Sequence, residues 1–527
     1  MNYDSFKYER YMTTNHQSRW ATIEEIQKSG TFVDLRKDEK SKCGGVPLLS
    51  DGEKVYVDGK DTHTLIFGAT GSKKTRLFCM PAINLFIKAG ESFVATDPKG
   101  ELYAKTSGYA KAEGYNIVVL NFRDIGYGDM WNPLKVPYEK YKAGDTEGAM
   151  SMINDFVATI SEPQRQNTKD IFWPEMAAAF ALANLLVLFE SADKNEVNVG
   201  SLSALGHLKN EEKLSALAAQ MSDESVAGMN YGGVFSGAEK TRQSIYASLY
   251  GMLRVFNTQT NLTRMLSGNT IDIKKFGREK TAVYIIVPDE KTTYHFLVTT
   301  FIKQAYEILI AEAQKEKDIK LPVRVNFVLD EFCNIPKVPD MPAMISAARS
   351  RNMRYFLVAQ SLHQLRGKYG EDADTIKGNC DNWIFLTSKE LDLLEEISAL
   401  CGNVSGNGKE GRPLISVSEL QRLDKEKGEA LIIHARQYPV ITEIADIDMY
   451  KSFKGYDAVE QKPFELPPLS LFSLEKLMSD IGEGKRQIPF AKEEAALETV
   501  KNEPVLDVEE LNEFLRMTKN LFREDNN

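Results

Sequence analysis

Residues 64–75 read Thr64-Leu65-Ile66-Phe67-Gly68-Ala69-Thr70-Gly71-Ser72-Lys73-Lys74-Thr75. An apolar run, a glycine-rich turn and then a stretch with helical spacing predict a strand, a tight loop and a helix in that order. The loop follows the phosphate-loop spacing G-x-x-x-x-G-K-[ST] except that Lys73 replaces the second glycine. In such a loop, backbone N–H groups and the N-terminus of the following helix face phosphate oxygens, a lysine reaches the β and γ phosphates, and a hydroxyl ligates Mg²⁺. Gly68, Ala69, Thr70, Gly71, Ser72 and Lys73 are therefore expected to form the cradle, with Lys74 as the lysine and Thr75 as the metal-binding hydroxyl. ATP and Mg²⁺ are the expected cofactors. Lys73 carries a Cβ where the motif has none, so it should crowd the loop or hold a backbone angle that glycine adopts most cheaply. That puts hydrolysis in question.

Outward from the loop, short apolar runs alternate with helical stretches. Residues 64–67, 92–96 and 116–120 read as strands, with helices expected over 74–88 and 100–112. This alternation is the signature of a parallel sheet in an α/β fold. Between 136 and 275 the strand signal stops, and 143–160, 171–190, 211–221 and 237–256 carry apolar residues at helical spacing, which predicts an inserted all-α domain. Strand-like runs return at 282–287, 324–329, 354–359, 383–386 and 430–433, with helices over 293–315 and 389–400. The expected organisation is a polar, irregular lead-in over 1–60, the nucleotide-binding domain over 61–135 and 276–454, the insertion over 136–275, and a flexible acidic tail over 455–527. The prolines at 463, 467, 468, 489 and 504 argue against packing in that tail, although 506–523 has the apolar spacing of an amphipathic helix.

A phosphate loop needs an acidic partner at the end of a second strand. Val325-Asn326-Phe327-Val328-Leu329-Asp330-Glu331 supplies it, with Asp330 expected to help hold the metal and Glu331 to polarise the attacking water. Residues 341–370 contain arginines and lysines and no acid. In a ring of such domains Arg349, Arg351 or Arg354 is expected to reach a neighbour's γ-phosphate, and Gln360, at a strand end beside Asp330, to sense it.

Composition excludes several classes. The chain has 527 residues, 43% hydrophobic and 27% charged, ordinary for a globular protein long enough for several domains. The formal net charge of −10 rules out nucleic-acid or anionic-lipid binding through bulk positive charge, leaving only a local patch. Cys43, Cys79, Cys333, Cys380 and Cys401 form no CxxC pair, and an odd, scattered set suggests neither a disulfide framework nor zinc. A reducing, cytoplasmic compartment fits. The N-terminus lacks an apolar core of signal-peptide length, and the most apolar run, Met176 to Phe189, is shorter than the ~20 residues of a bilayer span. It is expected to be a buried helix. The 6 histidines show no metal-ligand spacing, and no HExxH or nucleophile elbow occurs.

Several short motifs, taken together and in order, resemble those of the type IV secretion coupling proteins, the TraG-type DNA-translocating ATPases of conjugation. They are Ser18-Arg19-Trp20-Ala21, Gly44-Gly45-Val46-Pro47-Leu48, Thr96-Asp97-Pro98-Lys99-Gly100-Glu101-Leu102, Asn132-Pro133-Leu134, Leu329-Asp330-Glu331-Phe332, Gln360-Ser361-Leu362, Gly378-Asn379-Cys380 and Arg412-Pro413-Leu414. The resemblance covers roughly residues 15–450. It implies a RecA-like P-loop NTPase sheet with an inserted all-α domain, assembling as a homo-hexamer. Such a ring pumps relaxase-bound single-stranded DNA into a type IV secretion channel. Members of the family usually carry transmembrane helices ahead of the first motif, whereas this chain begins about 15 residues before it. Recruitment to the inner face of the cell membrane is therefore expected through a partner protein. A second reading is a non-hydrolysing adaptor that delivers a relaxase or effector protein to the channel. The Asp97-Pro98-Lys99-Gly100-Glu101 and Asn132-Pro133-Leu134 motifs separate both from a chromosome-segregation translocase.

Overall fold

The computed structural model describes residues 18–492 apart from Asp38, Asp51, 405–410, Lys462 and 464–465. Nine strands form one sheet in the order β14-β13-β10-β4-β9-β8-β5-β7-β6. These are β4 (Thr64–Phe67), β5 (Ser92–Asp97), β6 (Asn116–Asn121), β7 (Thr281–Ile286), β8 (Val325–Leu329), β9 (Met353–Ala359), β10 (Asn382–Phe385), β13 (Glu429–His434) and β14 (Val440–Glu443). The pairs from β10 to β6 are all parallel, and β13 and β14 add an antiparallel hairpin at one edge. Every residue of β5, β7, β8 and β9 is buried. Strands covered on both faces read as largely apolar runs, which is why these were legible. Phe86 packs edge-on against Phe356 at 5.1 Å and Phe93 against Tyr284 at 5.4 Å, tying the helix Met80–Ala89 and three strands into one core. The α/β sheet expected from the alternation is present.

The lead-in is not irregular. β1 (Thr31–Asp34), β2 (Val46–Ser50) and β3 (Lys54–Asp58) make an antiparallel sheet in the order β1-β3-β2. Val33, Val55 and Val57 are buried in it with Leu35. The alternation in Lys54-Val55-Tyr56-Val57-Asp58 marks this sheet, but flanking charges dilute it. A further pair, β11 (Asn403–Val404) with β12 (Arg412–Pro413), stands apart from both sheets.

Contacts divide the chain into two compact units. Among the described residues, one comprises 18–167, 197–200 and 252–471, and the other 168–196, 201–251 and 472–492. The second unit is helical, and Phe180 on the helix Phe172–Ser191 packs against Tyr246 at 4.8 Å and Tyr231 at 5.9 Å. Buried Tyr231 donates its hydroxyl to Asn184 Oδ1 at 2.8 Å. The helix Phe172–Ser191 is long and apolar enough to cross a membrane, and 67% of its most apolar window is buried. Burial of that kind is the mark of a core helix.

The helices differ from the expected insertion at its edges. Thr146–Gln166, expected inside it, belongs to the sheet-bearing unit, where Asp155 faces buried Lys303 on the helix His295–Gln314 at 3.6 Å. The C-terminal region is likewise not a free tail up to residue 492. Val459 O accepts from the Tyr103 hydroxyl and its N–H donates to Ser107 Oγ at 3.0 Å, and Asn121 Nδ2 donates to Gln461 Oε1 at 2.9 Å. Helix Leu474–Gly482 buries Leu474 and Leu477 in the helical unit. Proline excludes helix and ladder but not an extended strap whose few polar groups are satisfied by side chains. The amphipathic helix expected over 506–523 lies outside the described residues.

Candidate nucleotide site

The loop after β4 lies at the C-terminal edge of the sheet, where open parallel sheets bind ligands. Gly68 N–H donates to Ala359 O on β9 at 3.2 Å, and Ala69 N–H to Thr387 O beyond β10 at 2.9 Å, so both flanking strands anchor the loop. A Cβ on Gly68 would stand 2.4 Å from Ser72 Oγ, which is why that position takes glycine. Lys73 has φ 65°, the left-handed angle expected where the motif has glycine. A non-glycine residue holds that angle at a cost of roughly 1–2 kcal/mol. Its side chain does not crowd the loop but runs to Glu426, with Nζ 2.7 Å from the carboxylate. Lys74 Nζ donates to Gly68 O at 2.6 Å, holding the ammonium over the loop backbone.

The helix after the loop opens with a π-turn, Thr75–Cys79, before the regular helix Met80–Ala89. Pro81 explains it. Proline has no N–H to donate to Leu77 O, and its ring would strike that carbonyl in a regular α-turn, so the widened turn relieves the clash. This places Thr75 Oγ1 2.9 Å from Asp330 Oδ2 at the end of β8. Arg76 follows, paired with Asp446 and Asp448.

Asp330 is buried, and burial, reinforced by Glu331 beside it, pushes its carboxyl up to about 6 against the Thr75 hydroxyl and Lys74. Glu331 has φ 52°, a second left-handed non-glycine residue at the site. Strain of this kind persists where surrounding contacts over-determine the conformation. Here Gln360 Nε2 donates to Glu331 Oε2 at 2.7 Å and Asn334 Nδ2 to the same oxygen at 3.2 Å. Thr70 Oγ1 in turn donates to Gln360 Oε1 at 3.2 Å. Gln360 thus spans the phosphate loop and the glutamate.

The residues fit a nucleotide with Mg²⁺. Ser72 Oγ is buried without a partner inside the loop, Gly71 has open space where a Cβ would stand, and the donors near Thr75 are a hydroxyl and a carboxylate. Mg²⁺ takes one or two protein oxygens and completes its shell with phosphates and water.

The expected arginines separate. Arg354 is 1% exposed, its guanidinium 2.5 Å from Glu91 and bonded to Asn326 Oδ1 at 2.8 Å. It holds the core together and reaches no neighbour, which corrects its assignment to a trans role. Alternation in a strand buried on both faces gives no outward direction to a charged residue, so the sequence did not distinguish it. Arg349 and Arg351 precede β9, with Arg349 half exposed beside Asp381 at 3.0 Å. The seven residues of β9, about 23 Å at ~3.3 Å each, separate them from Gln360 at the other end. They cannot serve the site of their own chain. Sequence reasoning passes over Asn334 and Glu426; the only available signal for the first is its spacing of three residues from Glu331.

Residues 19–410 match the family described as Type IV secretory system Conjugative DNA transfer. The chain belongs to that family. Conjugal transfer protein TraG of Escherichia coli is 24% identical over 491 residues, 80% of this chain and 75% of that protein. Type 4 coupling protein DotL of Legionella pneumophila is 28% identical over 199 residues, 36% of this chain and 25% of DotL. The plasmid coupling protein TrwB with a non-hydrolysable ATP analogue gives a TM-score of 0.61 at 13% identity, covering 86% of this chain and 97% of TrwB. TrwB with ADP and Mg²⁺ gives 0.59 at 14% identity, covering 85% and 96%. This coupling protein therefore shares the TrwB fold, a RecA-like sheet with a helical domain, and its work is conjugative DNA transfer in type IV secretion.

Proposed function

We propose that this coupling protein is an Mg-ATP-driven motor that passes relaxase-bound single-stranded DNA to a type IV secretion channel, working as a homo-hexamer. The observation that carries the reading is the Thr75–Asp330 contact at 2.9 Å, with Gln360 joining Thr70 to Glu331. The TrwB structures with an ATP analogue and with ADP and Mg²⁺ support nucleotide binding in a fold of this kind.

In this mechanism the backbone of Gly68 to Lys73 cradles the phosphates, Lys74 turns from the Gly68 carbonyl to the β and γ phosphates, and Thr75 and Asp330 hold the metal. Mg²⁺, when bound, neutralises charge on the β and γ oxygens. Glu331 orients the attacking water and accepts its proton, and Gln360 registers the state of the loop through Thr70. Arg349 or Arg351 enters a neighbour's site in the ring and stabilises charge on the transferring phosphoryl group.

ATP turnover, with and without single-stranded DNA, tests this on the full chain, on Lys74→Ala and on Lys73→Gly. The expected result is DNA-stimulated turnover that Lys74→Ala abolishes and Lys73→Gly preserves, because Lys73 already holds the left-handed angle and turns its side chain to Glu426. No turnover in the full chain but recovery in Lys73→Gly would mean a motor disabled at one residue. Silence in both would favour the adaptor.

A further inference from the structure

His295 opens the helix His295–Gln314, far in sequence from the phosphate loop, and is 3% exposed. Both ring nitrogens face backbone carbonyls, Nε2 that of Pro288 at 2.9 Å and Nδ1 that of Asn334 at 3.1 Å. Carbonyl oxygens only accept, so a neutral ring donates to one of them and an imidazolium to both. Either way the ring is wedged between the segment that follows β7 and the turn that follows β8. Thr299, one helical turn on, donates to Pro336 O at 3.2 Å and fastens the same turn again.

That turn carries Glu331. The Asn334 N–H donates to Glu331 O at 2.8 Å, and its side-chain amide reaches Glu331 Oε2 at 3.2 Å. His295 therefore grips the backbone of the residue that grips the glutamate, at a place where Glu331 holds a left-handed angle that it would leave if released. A cavity of about 10 Å³ lies between Thr96, Asp289, His295, Asp330, Glu331 and Asn334. A space of that size admits a single water among polar partners.

We propose that His295 is a positioning residue for Glu331, acting through Asn334. The inference rests on the reading of Glu331 as the group that orients the attacking water. The ring hydrogen bonds of His295 go to two backbone carbonyls and not to Lys74, Thr75 or Asp330, so its loss should move the chemical step and spare binding. A glutamine at 295 carries both its N–H donors on one nitrogen, whereas His295 reaches the two carbonyls from two nitrogens set apart on the ring.

Steady-state ATP turnover and the affinity of a fluorescent ATP analogue would be measured on the full chain and on His295→Gln, Asn334→Ala, the double variant and Glu331→Gln. Misplacing a reacting group by about 1 Å costs ~10²-fold, so kcat should fall roughly 10- to 100-fold in each single variant. The analogue's Kd should stay within about threefold, and the double variant should fall little further than the worse single one, as coupled residues do. Wild-type kcat in either single variant would overturn the proposal, as would affinity lost in step with kcat. Should His295→Gln fail to fold, His295→Leu, which has no donor, takes its place with the same two outcomes, since Asn334→Ala leaves both histidine contacts in place and tests only the link to Glu331. A full chain that binds the analogue but never turns ATP over would overturn the underlying reading of Glu331. Active wild type with unaffected variants would overturn the role of His295 alone.

Discussion

Two arginines five positions apart show how far one residue's role depends on its direction. Arg354 points inward to Glu91, which also takes the Gly44 N–H at 3.1 Å and Asn326 Nδ2 at 3.0 Å, so the pair joins β5, β8, β9 and the turn before β2. Removing one partner of a buried pair strands the other charge and costs ~3–5 kcal/mol. Arg354→Met should lower the urea midpoint accordingly, whereas Arg349→Ala, on a half-exposed pair, should cost under about 1 kcal/mol. Equal losses in urea unfolding would contradict the assignment. Asp97 gives the matching test in pH. Its carboxyl is buried, with Oδ1 unpartnered and Oδ2 taking the Tyr103 N–H at 2.8 Å, and burial pushes it up to about 6. The folded form prefers the proton, so this group's contribution is full below about pH 4, the unfolded value, and is lost as pH rises through 6. Asp97→Asn should match the parent near pH 4 and exceed it by ~2–3 kcal/mol at pH 7.5, in urea melts at the two values. A constant offset between the two would show that the carboxyl's charge is not the cause.

At the scale of elements, helix propensity and packing make opposite predictions at Gly108. In the middle of the helix Glu101–Ala112, alanine should gain about 1 kcal/mol over glycine from propensity alone. A Cβ there, however, would stand 2.0 Å from the Asp457 carbonyl oxygen of the strap that crosses this helix. Gly108→Ala should therefore destabilise, by roughly 1–3 kcal/mol, and expose 455–461 to limited proteolysis. Stabilisation with an intact strap would mean that the strap does not bind there. The same strap marks the limit of what the sequence revealed. β5, β7, β8 and β9 were legible because burial on both faces leaves largely apolar runs, and the phosphate loop because its spacing is local. The strap over 455–461 was not, since its stability comes from partners hundreds of residues away, such as Ser107 for Val459, and the sheet of β1 to β3 was not, since charges flanking its strands dilute their alternation. The site divides in the same way. Lys74, Thr75, Asp330 and Glu331 follow from motif spacing, whereas the inward turn of Arg354 and the bridge of Gln360 to Thr70 depend on register between β4, β8 and β9, and the reach of Lys73 to Glu426 on the segment before β13.

For the whole molecule, the length of β9 sets Arg349 far from the phosphate loop of its own chain. Its phosphate loop and Gln360 lie at one end of the sheet and Arg349 at the other, so an arginine can complete a site only on a neighbouring copy. Complementation follows from that geometry. Lys74→Ala chains lack a working loop but keep Arg349, and Arg349→Ala chains lack the arginine but keep the loop. Each alone should be inactive, with Arg349→Ala still binding an ATP analogue. In rings assembled from equal amounts of both, an interface works when the loop comes from an Arg349→Ala chain and the arginine from a Lys74→Ala neighbour. Random mixing in a closed cyclic ring makes about one interface in four of that kind. Turnover of the mixture should thus recover to a fraction near a quarter if the sites act independently, and to less if the ring must fire in sequence. A mixture as silent as its two components would place the completing arginine elsewhere, with Arg351 the next to exchange. Activity retained by Arg349→Ala on its own would show that no trans arginine is needed at that position.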